Sequence, residues 1–339
     1  MATADQILAL VRSFIADEND RFLAIASQVA THESRQGHHE VARQLKDLIE
    51  SAKRRQTKLS PSRRPVPIIQ PKGELANLLS ASFPEDRLSD LVLSSENHLR
   101  LKQVIHEQRQ RDKLAAHGLV PRHKLLLIGP PGTGKTMTAR ALAGELRLPL
   151  FVVRLDGLIT KFMGETASKL RLVFEAIAES RGVYLFDEFD ALGAQRAADN
   201  DVGEIRRILN SFLQFLEAET ANSIIIGATN HPEILDKALF RRFDDVITYT
   251  LPDPAAVEEV IRNRLANFDT ANLEWVSIRS SAQGLSQADI VRACEEAAKA
   301  AVLEDSKRIS ESFLLDAFEA KRHANRLQLQ IGDIRNAGR

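Results

Sequence analysis

The sequence predicts an α/β fold: a parallel sheet with helices on both faces, followed by an α-helical lid and preceded by a small α-helical bundle. Three observations predict it. Strand-like apolar runs at 124–128, 148–155, 183–186, 223–228 and 246–249 alternate with helical patterns, as in a parallel sheet covered on both faces. After Pro252 the strand runs stop, and helical spacing takes over at 255–268, 286–303 and 312–323. Ahead of both, residues 4–53 carry three apolar stripes at helical spacing: Ile7, Leu10, Val11, Phe14 and Ile15; Phe22, Ala26, Val29 and Ala30; and Val41, Leu45, Leu48 and Ile49. The expected division is a helical bundle at 1–53 for partner or substrate binding or for assembly, a linker at 54–73, an α/β domain at 74–251, a lid at 252–325 and a tail at 326–339.

Charge and composition narrow the class. Apolar content of 44% with 27% charged residues in 339 is that of a globular chain with room for two or three domains. Lys+Arg and Asp+Glu both total 46, so no global field draws the chain to nucleic acid or an acidic membrane. No apolar run is long enough to cross a bilayer, and the start Met1–Gln6 lacks a signal-peptide layout, so the cytoplasm is expected and membrane insertion is not. The single cysteine, Cys294, excludes an internal disulfide; on an alanine-rich helix it is expected to be a small buried residue. His106-Glu107 and His32-Glu33 both lack the second histidine of a zinc-protease helix.

The linker is read from local charge. Lys53, Arg54, Arg55, Lys58, Arg63, Arg64 and Lys72 occur with no acid between them, and Pro61, Pro65, Pro67 and Pro71 block helix and central strand. A solvated tether is expected. The other reading is a basic strap for nucleic acid or an acidic partner, but no interleaved aromatic residue offers base stacking.

The chemistry begins at Gly129, Pro130, Pro131, Gly132, Thr133, Gly134, Lys135, Thr136 and Met137, between the run at 124–128 and a helical pattern from 136 to 146. A strand, a glycine-rich turn ending in Lys-Thr and a helix make a phosphate-binding P-loop. Glycines let successive N–H groups face inward, and the helix start adds the positive end of its dipole. Lys135 is expected to reach the β- and γ-phosphates of a triphosphate, and the Thr136 hydroxyl to be one ligand of Mg²⁺. The fold is therefore that of a P-loop NTPase.

A second element follows the run 183–186, where Asp187 and Glu188 would emerge at the carboxyl edge of the sheet beside the phosphate loop. Asp187 is expected to hold the metal and Glu188 to polarise the attacking water. Asp190 reads as a helix cap or a supporting partner. Asn230, at the tip of the run 224–229, suits positioning of that water, although by itself it would read as the start of a turn. Arg241 and Arg242 sit between apolar anchors and offer guanidinium groups to a neighbour's γ-phosphate.

The ordered set 129–136, 183–190, 224–230 and 235–244 resembles the AAA+ ATPase module over roughly residues 85 to 325. Lys161, Phe162, Met163 and Gly164, with Glu165 and Thr166, are similar to the first pore loop of AAA-clade protein unfoldases and severing enzymes. The turn 284–290 resembles that clade's lid turn. The resemblance implies Glu188 as catalytic base, Asn230 as first sensor, and Arg241 and Arg242 as arginine fingers supplied in trans. A homo-oligomeric ring, a hexamer, follows from that. Many relatives separate the two arginines by a Pro-Gly-like insert; here they are adjacent, which leaves open which one reaches the phosphate. The resemblance also implies adenine contacts from Leu91, Val92, Gly284 and Ala288, a grip on an extended polypeptide by Phe162 with Met163, and a second pore loop at 196–202. The implied function is ATP hydrolysis coupled to remodelling, unfolding or threading of a protein substrate. Two rival readings stand beside it: an ATP-dependent switch acting on a separately encoded protease or effector without threading, and a DNA-loader-type motor, for which no DNA-reading domain is recognisable.

Overall fold

The computed structural model describes residues 71, 73–158, 163–189, 202–220, 222–235 and 237–337, all in one compact unit, Ile69–Arg339. The three N-terminal stripes, Phe162, Asp190 and the stretch 196–201 lie outside the described residues.

Six strands form one sheet: β1 Leu79–Ser82, β2 Lys124–Ile128, β3 Leu150–Val153, β4 Val183–Phe186, β5 Ile224–Thr229 and β6 Asp245–Thr248, in the order β1-β3-β4-β5-β2-β6. Strands β2 to β6 pair in parallel. The five expected runs are all present, with ends moved by up to two residues. The sheet is mixed, however, because β1 runs antiparallel to β3 at one edge, in register Leu79↔Val153 to Ser82↔Leu150. Its sequence, Leu-Ser-Ala-Ser, has one buried residue and little strand propensity, so only the pairing with β3 makes it a strand.

Around the sheet lie α1 (Leu75–Leu78), α2 (Ser95–Arg109), α3 (Arg111–Ala115), α4 (Lys135–Leu146), α5 (Leu155–Leu158), α6 (Met163–Glu179), α7 (Val202–Ala218) and α8 (Lys237–Phe240). The lid follows as α9 (Pro254–Arg264), α10 (Trp275–Ser281), α11 (Gln287–Leu303) and α12 (Glu311–Ala337). Local chemistry starts several of them. Ser94 Oγ accepts from the Asn97 N–H at 3.2 Å to cap α2, and Asp253 Oδ1 from the Ala256 N–H at 2.8 Å to cap α9, with Pro254 in its first turn. Helix α12 continues to Ala337, through residues expected to form a tail.

Strand alternation divides the core in two. Leu125 and Leu127 point to the face covered by α2 and α4, where they meet Leu101, Val104, Leu142 and Ala143. Leu126 points to the other face, with Leu170, Val173 and Phe174 of α6 and Phe212, Leu213 and Leu216 of α7. A third core fills the lid, from Val257 and Ile261 through Ile290, Cys294 and Ala297 to Leu314 and Phe318, and reaches back to Val92. Cys294 is fully buried there, as expected, and burial pushes its thiol up to about 12.

Phe212 packs among aromatic rings, with ring centres of Phe189, Phe186 and Phe174 at 4.7, 5.1 and 5.6 Å. Phe212→Ala would empty that space. A loss of about 3–5 kcal/mol in unfolding free energy is expected, read from the denaturant midpoint.

Candidate functional site

The strand order brings the chemistry together. β5 lies between β4 and β2, so the residues leaving the carboxyl ends of β2, β4 and β5 are neighbours: the loop 129–136, the pair Asp187-Glu188, and Asn230. Above this edge, against the lid, is a cleft of about 920 Å³.

The phosphate loop is built by backbone demands. Gly132 and Gly134 have φ of 74° and 100°, which favour glycine. At Gly129 the reason is proximity, since a Cβ there would stand 2.3 Å from the Tyr249 carbonyl oxygen. Thr133 Oγ1 donates to the Pro130 carbonyl at 2.8 Å, closing the loop on itself. No side chain caps the first turn of α4. Lys135 is buried, and its ammonium donates to the carbonyls of Gly129 and Pro130 at 2.7 and 2.8 Å and to Asn230 Oδ1 at 2.8 Å. The cation and the amide therefore share one spot on the cleft floor.

Thr136 Oγ1 donates to Asp187 Oδ2 at 2.7 Å. A hydroxyl and a carboxylate held together on the cleft wall are a hard-oxygen donor set suited to a small divalent cation such as Mg²⁺. The next residue, Glu188, is exposed to the cleft and sits at φ 51°, in the left-handed region that a non-glycine residue adopts at a cost. Its N–H donates to Asp187 Oδ1 at 3.0 Å, while the Phe189 N–H donates to the Ala228 carbonyl at 2.9 Å. The turn thus aims both carboxylates away from the sheet core.

The opposite wall comes from two segments. Asp86 binds Arg140 of α4 through Nε at 3.0 Å, fixing the approach of the chain to Leu91 and Val92, both of which line the cleft. Across from them, Gly284 at φ 83° bends the chain toward Ser286, whose hydroxyl and Asp289 form a capping box at the start of α11. Gln287 Nε2 donates to the Val92 carbonyl at 2.7 Å, and the Ala288 N–H to the Gly132 carbonyl at 3.0 Å. Two hydrogen bonds thus join the lid to the α/β part at the cleft.

Of the residues expected from sequence, Pro131, Gly132, Gly134, Lys135, Thr136, Met137, Asp187, Glu188, Asn230, Leu91, Val92 and Ala288 line the cleft. Gly129, Pro130, Thr133 and Gly284 do not line it; they shape the turns beneath and beside it. Sequence reading missed Asn263 and Arg264 of α9 and Gln287, Val291, Arg292 and Glu295 of α11. Val291, Arg292 and Glu295 follow Ala288 at helical spacing, a signal that could have found them, and Gln287 adjoins it. Those of α9 carry no such mark.

Arg241 and Arg242 stand elsewhere. They follow α8, between buried Leu239 and Phe243, and neither lines the cleft. Arg242 Nε donates to Glu217 Oε1 of α7 at 2.5 Å. Arg241 is exposed and has no ion pair among the described residues. Met163 opens α6 just after the stretch that contains Phe162.

Known proteins match this arrangement. The family model described as ATPase family associated with various cellular activities (AAA) matches residues 125–251. A Sinorhizobium fredii protein described as an uncharacterized AAA family ATPase, y4kL, is 35% identical over 333 residues, covering 97% of this chain and 99% of that one. The Helicobacter felis ATP-dependent zinc metalloprotease FtsH is 32% identical over 257 residues, 73% of this chain and 40% of FtsH, so the chain spans less than half of that relative. Among solved structures, the crystal structure of the FIGL-1 AAA domain superposes with a TM-score of 0.60 at 25% identity, covering 76% of this chain and 92% of that one.

Proposed function

Since this chain belongs to the AAA family of ATPases, we propose that it hydrolyses ATP with Mg²⁺ at sites shared between neighbouring copies of a homo-oligomeric ring, a hexamer, and spends the turnover on remodelling, unfolding or threading a protein substrate. One observation carries the shared site: Lys135, Thr136, Asp187, Glu188 and Asn230 converge on the cleft, whereas the two arginines do not line it.

The roles follow from the chemistry of the groups. Lys135 binds the β- and γ-phosphate oxygens together with the N–H groups of the loop. Thr136 and Asp187 would hold Mg²⁺, which would supply positive charge against the negative charge of the phosphates. Glu188 accepts the proton of the attacking water, and Asn230 orients that water by hydrogen bonding. Leu91 and Val92, with Ala288 and Gly284 from the lid turn, support the adenine. An arginine from the next copy stabilises charge on the γ-phosphate.

Coupling to a protein substrate rests on Phe162 and Met163, which precede and begin α6. The similarity to FtsH and to the FIGL-1 AAA domain supports that reading. Phe162→Ala is expected to keep ATPase activity and assembly while abolishing movement of a protein captured by the Glu188→Gln variant. Continued movement in Phe162→Ala, with ATPase and assembly intact, would replace threading by the switch reading.

A further inference from the structure

We propose that Tyr249 is a positioning residue for ATP binding, holding the phosphate loop through a buried hydroxyl relay to Gly134. Tyr249 follows β6, is 3% exposed and is not a cleft-lining residue. Its hydroxyl lies 2.7 Å from Thr138 Oγ1 inside the core, and Thr138 Oγ1 in turn donates to the Gly134 carbonyl at 3.1 Å. With the threonine proton directed to Gly134, the tyrosine is the donor and the threonine oxygen its acceptor. The relay runs Tyr249, Thr138, Gly134.

The end of that relay matters because a peptide is planar and trans. The direction of the Gly134 carbonyl sets the direction of the Lys135 N–H, on the opposite side of the same plane. Gly134 is at φ 100°, where glycine's freedom makes the plane easy to turn. The Thr138 N–H also donates to this carbonyl, at 2.8 Å. Two donors from Thr138 therefore hold the plane, and Tyr249 orients one of them. Alanine or valine at position 138 would supply the helical N–H alone.

Tyr249 meets the other end of the loop as well. Its N–H donates to the Ile128 carbonyl at 2.7 Å, and its own carbonyl oxygen lies 2.3 Å from where a Gly129 Cβ would be. One residue thus braces the loop where it leaves β2 and where it enters α4. The hydroxyl costs free energy to bury unless it is bonded, and burial pushes the phenol up to about 12, so it stays a neutral donor at physiological pH. A phenylalanine would fill the same volume without the bond. The polar pair is thus spent on the direction of a hydrogen bond and not on packing.

The test compares nucleotides of different phosphate length. In Tyr249→Phe, affinity for ADP and for the β,γ-imido analogue of ATP is expected to fall about 3- to 10-fold, the weight of one buried hydrogen bond. Affinity for AMP, which does not reach the loop's β- and γ-phosphate contacts, should be unchanged. Thr138→Val should reproduce the loss, Thr138→Ser should retain near-native affinity, and the Tyr249→Phe, Thr138→Val double variant should be no weaker than Thr138→Val alone. A lowered melting temperature with unchanged ADP and imido-ATP affinity would reduce Tyr249 to a packing residue and overturn the proposal. Equal loss for AMP would overturn it too. If Tyr249→Phe fails to fold, the contrast between Thr138→Val and Thr138→Ser decides alone.

Discussion

Glu188→Gln is expected to lower kcat for ATP hydrolysis by about 10²–10⁴-fold while leaving nucleotide affinity within about twofold of native. The substitution keeps shape and hydrogen-bonding reach but removes the carboxylate assigned to accept the proton, while Asp187 stays on Thr136. Binding should survive because the phosphate contacts lie elsewhere: Lys135 on the loop, and the Thr136–Asp187 pair at 2.7 Å. The left-handed backbone of Glu188, φ 51°, is a second reason to expect specificity in the loss. A non-glycine residue is kept in that region by its surroundings, here the bonds from the Glu188 N–H to Asp187 and from the Phe189 N–H to Ala228, and those bonds do not involve the Glu188 side chain. Phosphate release and fluorescent-nucleotide binding measure the two halves. Full turnover in the variant would remove Glu188 from the role of base.

Arg241→Ala is expected to lower kcat by about 10³–10⁵-fold with ATP binding retained, the range known where an arginine finger has been defined. The adjacent arginines differ in a way that ranks them. Arg242 is tied to Glu217 of α7, whereas Arg241 is exposed with no ion pair among the described residues. A guanidinium already holding a carboxylate must give it up to reach a phosphate. Arg242→Ala should therefore have the smaller effect on kcat and the larger one on thermal stability. Both stand on a stiff base, because Leu239 and Phe243 are buried on either side, and Asp244 accepts the N–H groups of His123 and Lys124 at 2.8 and 2.9 Å.

How much of this could be read from residues alone depended on distance along the chain. The phosphate loop, Asp187-Glu188 and Asn230 were legible because each follows a short apolar run, and a strand with its trailing loop is a local object. Their convergence was not: it follows from β5 lying between β4 and β2, and strand adjacency leaves no trace in a run of Ile and Val. Edge strand β1 escaped notice for a related reason, since Leu79–Ser82 acquires its conformation from β3. The lid shows both cases. Gly284 and Ser286 mark the turn into α11 by their own chemistry, whereas Asn263 and Arg264 reach the cleft only through the packing of α9. The bond between Thr138 and Tyr249, 111 residues apart, is a further instance. Neither residue is unusual in its segment, and only the fold sets them face to face.

The central claim is that a complete active site takes Lys135 from one copy and an arginine from the next. The most direct measurement mixes two inactive proteins, Lys135→Ala and Arg241→Ala, and follows phosphate release against mixing ratio. Neither should hydrolyse ATP alone. In mixed rings, a site with native Lys135 from the Arg241→Ala protein and native Arg241 from the Lys135→Ala protein is whole, so activity should appear on mixing and peak near equal proportions. A mixture that assembles and stays inactive at every ratio would mean that the arginine serves its own cleft, and the shared site would be wrong.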